Sequence, residues 1–373
     1  MTASKKKLQK TFVQTFVVNK ILFLHSIQTF KNILSMKNIT LTDLARMLSL
    51  NPSTISRALS DHPDIKEETR IRVRNAASEF KYRPNLRARF FRKKKSGLVA
   101  LILPEINTFF VPKMIEGINS VLSSAGFSTI IFCSDNSIEK ERAILDHCLS
   151  WAVEGILISL SDANVDTEHL HVVKESGIPL ILLDKIMTTT DFSTVSINDF
   201  DAASMAIHHL ILHDKCNILG IFGNPGQENT LQRVNGMQSA LANSGIKWSP
   251  DDFLFHMLHV DEFYNQLEKK LLSTSYDAVF IMSDELLLLS YSVFVKLRLF
   301  PENLSIVAIS DGTLPHMLTP KITHVRHSGF EMGNHAGRAI LELCNAENHV
   351  ITSHKIAPEL ISLESVVTQY PEL

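Results

Sequence analysis

The run Asn51-Pro52-Ser53-Thr54-Ile55-Ser56-Arg57-Ala58-Leu59 carries a helix start and about two turns of amphipathic helix. Asn51 is a residue type that accepts from freed N–H groups at a helix start. Pro52 suits the first helical position, where its fixed φ matches the helix and its missing N–H is not needed. Ile55, Ala58 and Leu59 then face inward, which leaves Pro52, Ser53, Ser56 and Arg57 on the opposite side. Immediately upstream, Leu41, Leu44, Ala45 and Leu48 repeat at i, i+3, i+4 and i+7. They predict a first short helix, capped by Thr40 with Asp43 at its positive end. Downstream, Glu67 to Phe80 reads as a third helix, with Val73, Ala76, Ala77 and Phe80 inward and Arg70, Arg72 and Arg74 open to solvent or phosphate. Two short helices joined by a brief turn have helix-turn-helix geometry, in which the start of the second helix meets base edges in the major groove.

Charge supports that geometry. The 373-residue chain has a formal net charge of only −2, but residues 1–95 hold 21 Lys and Arg against 6 Asp and Glu, and the remainder 16 against 33. A block of +15 ahead of a body of −17 points to a polyanionic partner, because neutralising phosphates releases condensed counterions. Ahead of the helices, residues 1–35 contain six lysines and no acid. Lys20 interrupts their apolar stretch and no small-residue cleavage pattern follows, so they are read as an extension, native or artefactual, without an assigned function. With 45% apolar residues there is material for more than one core. No uncharged apolar window is long enough to span a membrane, and Cys133, Cys148, Cys216 and Cys344 are too widely spaced for a disulfide or metal framework. A reducing, cytoplasmic setting follows as the expectation.

Three segments in order carry a family resemblance: Met36-Lys37-Asn38-Ile39-Thr40-Leu41-Thr42-Asp43-Leu44-Ala45, then residues 51–59, then Tyr82-Arg83-Pro84-Asn85. Together they resemble the lactose/galactose repressor family. The resemblance implies a helix-turn-helix domain over 36–83, a hinge over 84–95, and DNA contacts from Thr40, Pro52, Ser53, Thr54, Ser56, Arg57, Tyr82, Asn85, Arg87, Ala88 and Phe91. In that family a hinge helix forms on the operator and wedges an apolar residue into the minor groove. Phe91 stands where Leu is usual, with Phe90 beside it. Ser49 replaces a frequent turn glycine.

Beyond Ser96 short apolar runs alternate with helical patterns. Leu98–Leu103, Thr129–Cys133, Gly155–Ser159, Leu180–Leu183, Ile218–Phe222, Ala278–Met282 and Ser305–Ile309 read as strands. Uninterrupted apolar strands separated by helices predict parallel sheets covered on both faces, and their number predicts two doubly wound halves with a ligand cleft at the strands' carboxyl ends. The fold class expected is therefore α/β, a helix-turn-helix domain followed by two parallel-sheet subdomains, which the family resemblance implies form a periplasmic-binding-protein-like sensor. The halves are placed at roughly 96–196 with 325–353 and 197–324 with 354–373.

Enzyme signatures are missing from this body. No dinucleotide fingerprint or phosphate loop follows a strand, Gly223-Asn224-Pro225-Gly226 reads as a turn, and no Gly-x-Ser-x-Gly elbow occurs. His208 and His209 are adjacent and point different ways on a helix, so neither metal nor cofactor is expected. The resemblance instead implies a small-molecule effector site at Asn107, Phe109, Phe110, Ser159, Arg233, Ser283, Asp284 and Ser310. Ser310 and Asn198 stand where the family often has Asp, and Ser283 where it has Asn, so the site is altered in chemistry. The expectation is a homodimeric regulator on a near-palindromic double-stranded operator, not an enzyme, controlled by an effector that is a sugar or sugar derivative. A sugar-binding protein or Rossmann-type enzyme with a basic extension, and a DNA-binding regulator controlled by a protein partner, stand as alternatives.

Overall fold

The computed structural model describes residues 39–82, 96–161, 167–184, 191–256, 259–346 and 350–366. The chain divides into two compact units, Met1–Lys94 and Lys95–Leu373.

Among the described residues the first unit holds three helices: α1 (Leu41–Leu48), α2 (Pro52–Leu59) and α3 (Glu67–Glu79). Thr40 begins α1 with a reciprocal cap: its hydroxyl accepts from the Asp43 N–H at 3.3 Å, and the Asp43 carboxylate accepts from the Thr40 N–H at 3.1 Å. The Thr40 hydroxyl, which donates to the same carboxylate at 2.5 Å, and then the Thr40 N–H hold the Asp43 carboxyl below its ordinary value. Pro52 opens α2 as expected, but the Asn51 side chain makes no capping bond, so proline geometry and tertiary packing set this helix start. Ser49 ends α1 in the left-handed region at φ 52°, where a Cβ is unfavourable and glycine is usual. Leu44, Ala45, Ile55, Ala58, Val73 and Ala76 form the core, flanked by Leu59, Ala77, Phe80 and Tyr82.

In the body, two six-stranded sheets carry the fold. The first takes β1 (Leu98–Leu103), β2 (Ser128–Cys133), β3 (Gly155–Ile158), β4 (Leu180–Leu183), β5 (Ser193–Ile197) and, from far along the chain, β11 (Ser353–Ile356), in the order β11-β5-β4-β3-β1-β2. The second takes β6 (Ile218–Phe222), β7 (Phe253–Phe255), β8 (Ala278–Ile281), β9 (Ser305–Ser310), β10 (Thr323–Arg326) and β12 (Glu359–Ile361), in the order β12-β10-β9-β8-β6-β7. Every pairing is parallel except β10 with β12. This is the α/β class expected, and the seven apolar runs are all strands. Of the five further strands, β5, β10, β11 and β12 carry polar residues and the apolar β7 is only three residues long. In β5 the residues Ser193, Thr194 and Ser196 are buried, because the sheet ladder satisfies the backbone and helices cover both faces.

The chain crosses between the halves three times: from β5 into α7 (Asp199–Ile211), from β10 into α12 (Gly329–Asn345), and from β11 into β12. The last two crossings fall after Arg326 and Ile356, a few residues beyond 325 and 353, since β10 completes the second sheet and β11 the first. In the first half α12 lies against α4 (Phe110–Ser124) at backbone contact distance. A Cβ on Gly333 would stand 2.1 Å from the Met114 carbonyl oxygen, so only glycine allows that approach. The remaining helices, α5 (Ile138–Ser150), α6 (Glu168–Glu175), α8 (Glu228–Asn243), α9 (Val260–Ser273), α10 (Asp284–Lys296) and the short α11 (Thr313–Met317), cover the sheets. Among the described residues no helix is long and apolar enough to cross a membrane.

Candidate functional site

In the helical unit, burying Ile55 and Ala58 turns Pro52, Ser53 and Arg57 outward; all three are exposed, while Thr54 and Ser56 are half-buried. The side chains of Ser53, Thr54 and Arg57 bond to no other described residue. The arginines of α3 differ from expectation. Arg70 pairs with Glu67 at 3.1 Å, Arg72 donates to the Leu48 carbonyl at 2.8 Å, and Arg74 pairs with Asp61. Arg72 and Arg74 therefore tie α3 to the end of α1 and to the turn after α2 before any phosphate is present, whereas the Arg70 pair lies within α3. The Thr40 hydroxyl is engaged in its cap, and Tyr82 packs on the core with its N–H on the Ala77 carbonyl at 2.8 Å. Asn85, Arg87, Ala88 and Phe91 lie outside the described residues.

In the body, the polar residues at the carboxyl ends of the second sheet meet each other. Arg233, from α8, is 3% exposed. Its Nε and Nη2 both donate to Asp199 Oδ1, at 2.8 and 2.7 Å, Nη1 donates to the Met282 carbonyl, and Nη2 donates to His327 Nδ1 at 3.5 Å. Asp199 opens α7 just after the first crossing, and His327 follows β10 at the second. Burial pushes the Asp199 carboxyl up to about 6, with Asp184 adding to the rise and Arg233 and Lys355 opposing it. Burial, and then the Arg233 charge, hold the His327 imidazole well below its ordinary value, so the ring is neutral.

One strand over, Asp284 and Ser310 are both buried and bonded to each other: the Ser310 hydroxyl donates to Asp284 Oδ1, and the Asp311 N–H donates to Oδ2 at 3.1 Å. Desolvation dominates here too, raising the Asp284 carboxyl to about 7 despite those donors. Ser283 caps α10 by accepting from the Leu286 N–H at 3.4 Å. Ser310 also accepts the His327 N–H on its carbonyl at 2.7 Å, which makes the ends of β8, β9 and β10 one continuous polar floor.

The first half meets this floor through the loop after β1. Phe109 donates its N–H to Glu285 Oε1 at 3.0 Å and packs on the core of the second half. Phe110 stays with the first half and lies against the His327 ring, centroids 4.3 Å apart. Both rings expected to stack on a ligand are thus engaged within the protein. Ser159 is buried at the end of β3 with its N–H on the Ile102 carbonyl, whereas Asn107 is exposed and joins none of these groups. The sequence reading missed His327, Asp199 and Asp184. Asp184 had a signal, since it ends a predicted strand at the carboxyl edge where ligands bind. Among the described residues no group of three or more His, Cys, Asp or Glu is placed to hold a metal ion.

A three-helix unit with an open polar helix face, ahead of two doubly wound halves joined by three crossings, defines a DNA-binding protein with a ligand-sensing body. Comparison with known proteins agrees. The periplasmic binding protein domain matches residues 99–296, more than half of the chain, and the bacterial regulatory proteins of the lacI family match residues 40–85. Catabolite control protein A of Priestia megaterium is 28% identical over 313 residues, 83% of this chain and 94% of its own length. Among solved structures, the lac repressor dimer bound to operator and the anti-inducer ONPF superposes with a TM-score of 0.79 at 18% identity, covering 89% of this chain and all of that one. The transcriptional regulator CelR in complex with cellobiose superposes at 0.65 and 21% identity, covering 88% and 100%. The chain carries a lacI-family helix-turn-helix domain and a periplasmic-binding-protein-like domain, and it is a sequence-specific DNA-binding transcriptional regulator.

Proposed function

We propose that this regulator is a repressor that acts in the cytoplasm as a homodimer on a near-palindromic operator, reading bases with Pro52, Ser53, Thr54, Ser56 and Arg57 of α2. The observation that carries this reading is the outward face of α2, where Ser53, Thr54 and Arg57 are held by a packed core and their side chains are bonded to no described neighbour. Side chains in that state can pair with base edges without first breaking an internal bond. A sugar or sugar derivative in the cleft controls the regulator, through Arg233, Ser283, Asp284, Ser310 and the residues after β1 and β3. The relatives support this: one is bound to an operator and an anti-inducer, another to cellobiose. Because two crossings pass through the Asp199–Arg233–His327 group, a ligand that rearranges it acts where the halves are joined. Differential affinity for the two arrangements then shifts the population that binds DNA.

The test is operator binding by fluorescence anisotropy in the presence of a panel of mono- and disaccharides. The paired variant Asp199→Asn/Arg233→Gln leaves no charge unpaired, so it should keep operator affinity and lose the response. A normal response in that variant would place the effector site elsewhere.

A further inference from the structure

Arg233 has five N–H donors, and the contacts of its guanidinium engage four of them: two on Asp199, one on the Met282 carbonyl and one on His327. Recognition of a carboxylate or phosphate by arginine ordinarily uses two parallel donors at once. Here that fork is already occupied by a carboxylate belonging to the protein. An anionic ligand would have to displace Asp199 from a buried pair and leave its charge uncompensated, which is strongly unfavourable. Nor is there a surplus cation nearby. The charged groups acting on Asp199 are Arg233 from α8, Asp184 at the end of β4 and Lys355 on β11, two cations against two carboxylates.

His327 adds a second, independent observation. Its Nδ1 accepts from Arg233, so the ring proton sits on Nε2. That Nε2 is buried with no hydrogen-bond partner among the described residues. A buried donor without an acceptor is costly, and the group that relieves it is an oxygen with a lone pair. The ring gives such an oxygen a hydrogen bond and no charge.

We propose that Asp199 is a resident counter-anion that closes the cleft to anionic effectors, and that the effector is an uncharged molecule presenting a hydroxyl or carbonyl oxygen to His327 Nε2–H. The inference deepens the cleft reading above and rests on it. It assigns Asp199 and His327 as specificity determinants and excludes sugar phosphates and sugar acids from the effector class.

The experiment uses formate as a minimal carboxylate, with chloride at equal ionic strength as the reference, on the full chain. Trp151 and Trp248 are the two tryptophans and both lie in the body, so their fluorescence follows its melting. At about 0.1 M formate the wild type should show no shift beyond chloride. Asp199→Ser should gain about 2 °C as formate takes the vacated place on Arg233, and Asp199→Ser/Arg233→Gln should lose the gain. A formate-specific rise in the wild type would overturn the proposal, as would a folded Asp199→Ser protein indifferent to formate. Should that variant not fold, the wild type still decides: glucose 6-phosphate bound more tightly than glucose contradicts the proposal, and the reverse supports it. The cleft reading fails separately, if the Asp199→Asn/Arg233→Gln pair answers an effector as the wild type does.

Discussion

The exposed face of α2 and the floor of the cleft hold polar residues in opposite states. On α2 the side chains of Ser53, Thr54 and Arg57 have no described partner. In the cleft Arg233, Asp199, Asp284 and Ser310 are buried and bonded to each other. The first is a surface prepared for direct contact, with affinity limited mainly by side-chain ordering. The second is a network in which a ligand that reaches Arg233 or Asp284 must exchange bonds, so binding to them is coupled to rearrangement. A regulator needs both: a rigid reader, and a sensor whose internal bonds differ between two states.

The comparison breaks most sharply at the buried ion pair. Arg233→Ala leaves Asp199 buried without its cation and should destabilise the body by about 3–5 kcal/mol, read as a lowered urea midpoint of tryptophan fluorescence. No change would mean that the pair is not the closed network described. Next comes Asp284→Ala, which takes the acceptor from the Ser310 O–H and the Asp311 N–H, leaving Ser310 only the Gly312 N–H it accepts, and should remove about 1–3 kcal/mol by the same measurement.

The pH dependence sharpens the same contrast. Asp199 and Asp284 have carboxyls raised by burial to about 6 and about 7, above the unfolded value near 4. The folded body therefore holds protons that the unfolded chain releases. The stability they give is complete below about pH 4 and is lost as pH rises through about 6 and then about 7. The buried imidazoles of His327, His324 and His209, held below their ordinary value, act in the opposite sense over the same range, so the carboxyl contribution is read as a difference: from pH 5 to pH 7.5 the urea midpoint of Asp284→Asn should gain on that of the wild type. A constant difference between the two midpoints over this range would show that the Asp284 carboxyl is not perturbed as described. The smallest effect belongs to the helical unit. Ser49→Gly relieves a left-handed backbone position and should stabilise α1 to α3 by up to about 1 kcal/mol, seen in their thermal melting by circular dichroism.

The same contrast explains what could be read from sequence. The helical unit was legible almost residue by residue, because its spacing, cap and proline act within one or two turns. What failed there was tertiary: the bonds of Arg72 and Arg74 to the Leu48 carbonyl and Asp61 and the idle Asn51 side chain. In the body the apolar strands were legible and the polar ones were not, since burial of Ser193, Thr194 and Ser196 in β5 is decided by neighbours from elsewhere in the chain. The site was legible as positions. That Arg233 would meet Asp199, 34 residues away, and His327, 94 residues away, depends on the two crossings, which no local pattern encodes.

The central claim is that the open face of α2 reads DNA. Its most direct test is selection of bound duplexes from a random library, at a stated near-physiological salt concentration, with the full-length wild type and a Ser53 variant in parallel. The account predicts an inverted repeat for the wild type, and for the variant the same repeat altered at one symmetric pair of positions. An identical repeat from both proteins, or salt-sensitive binding with no enriched sequence from either, would contradict it.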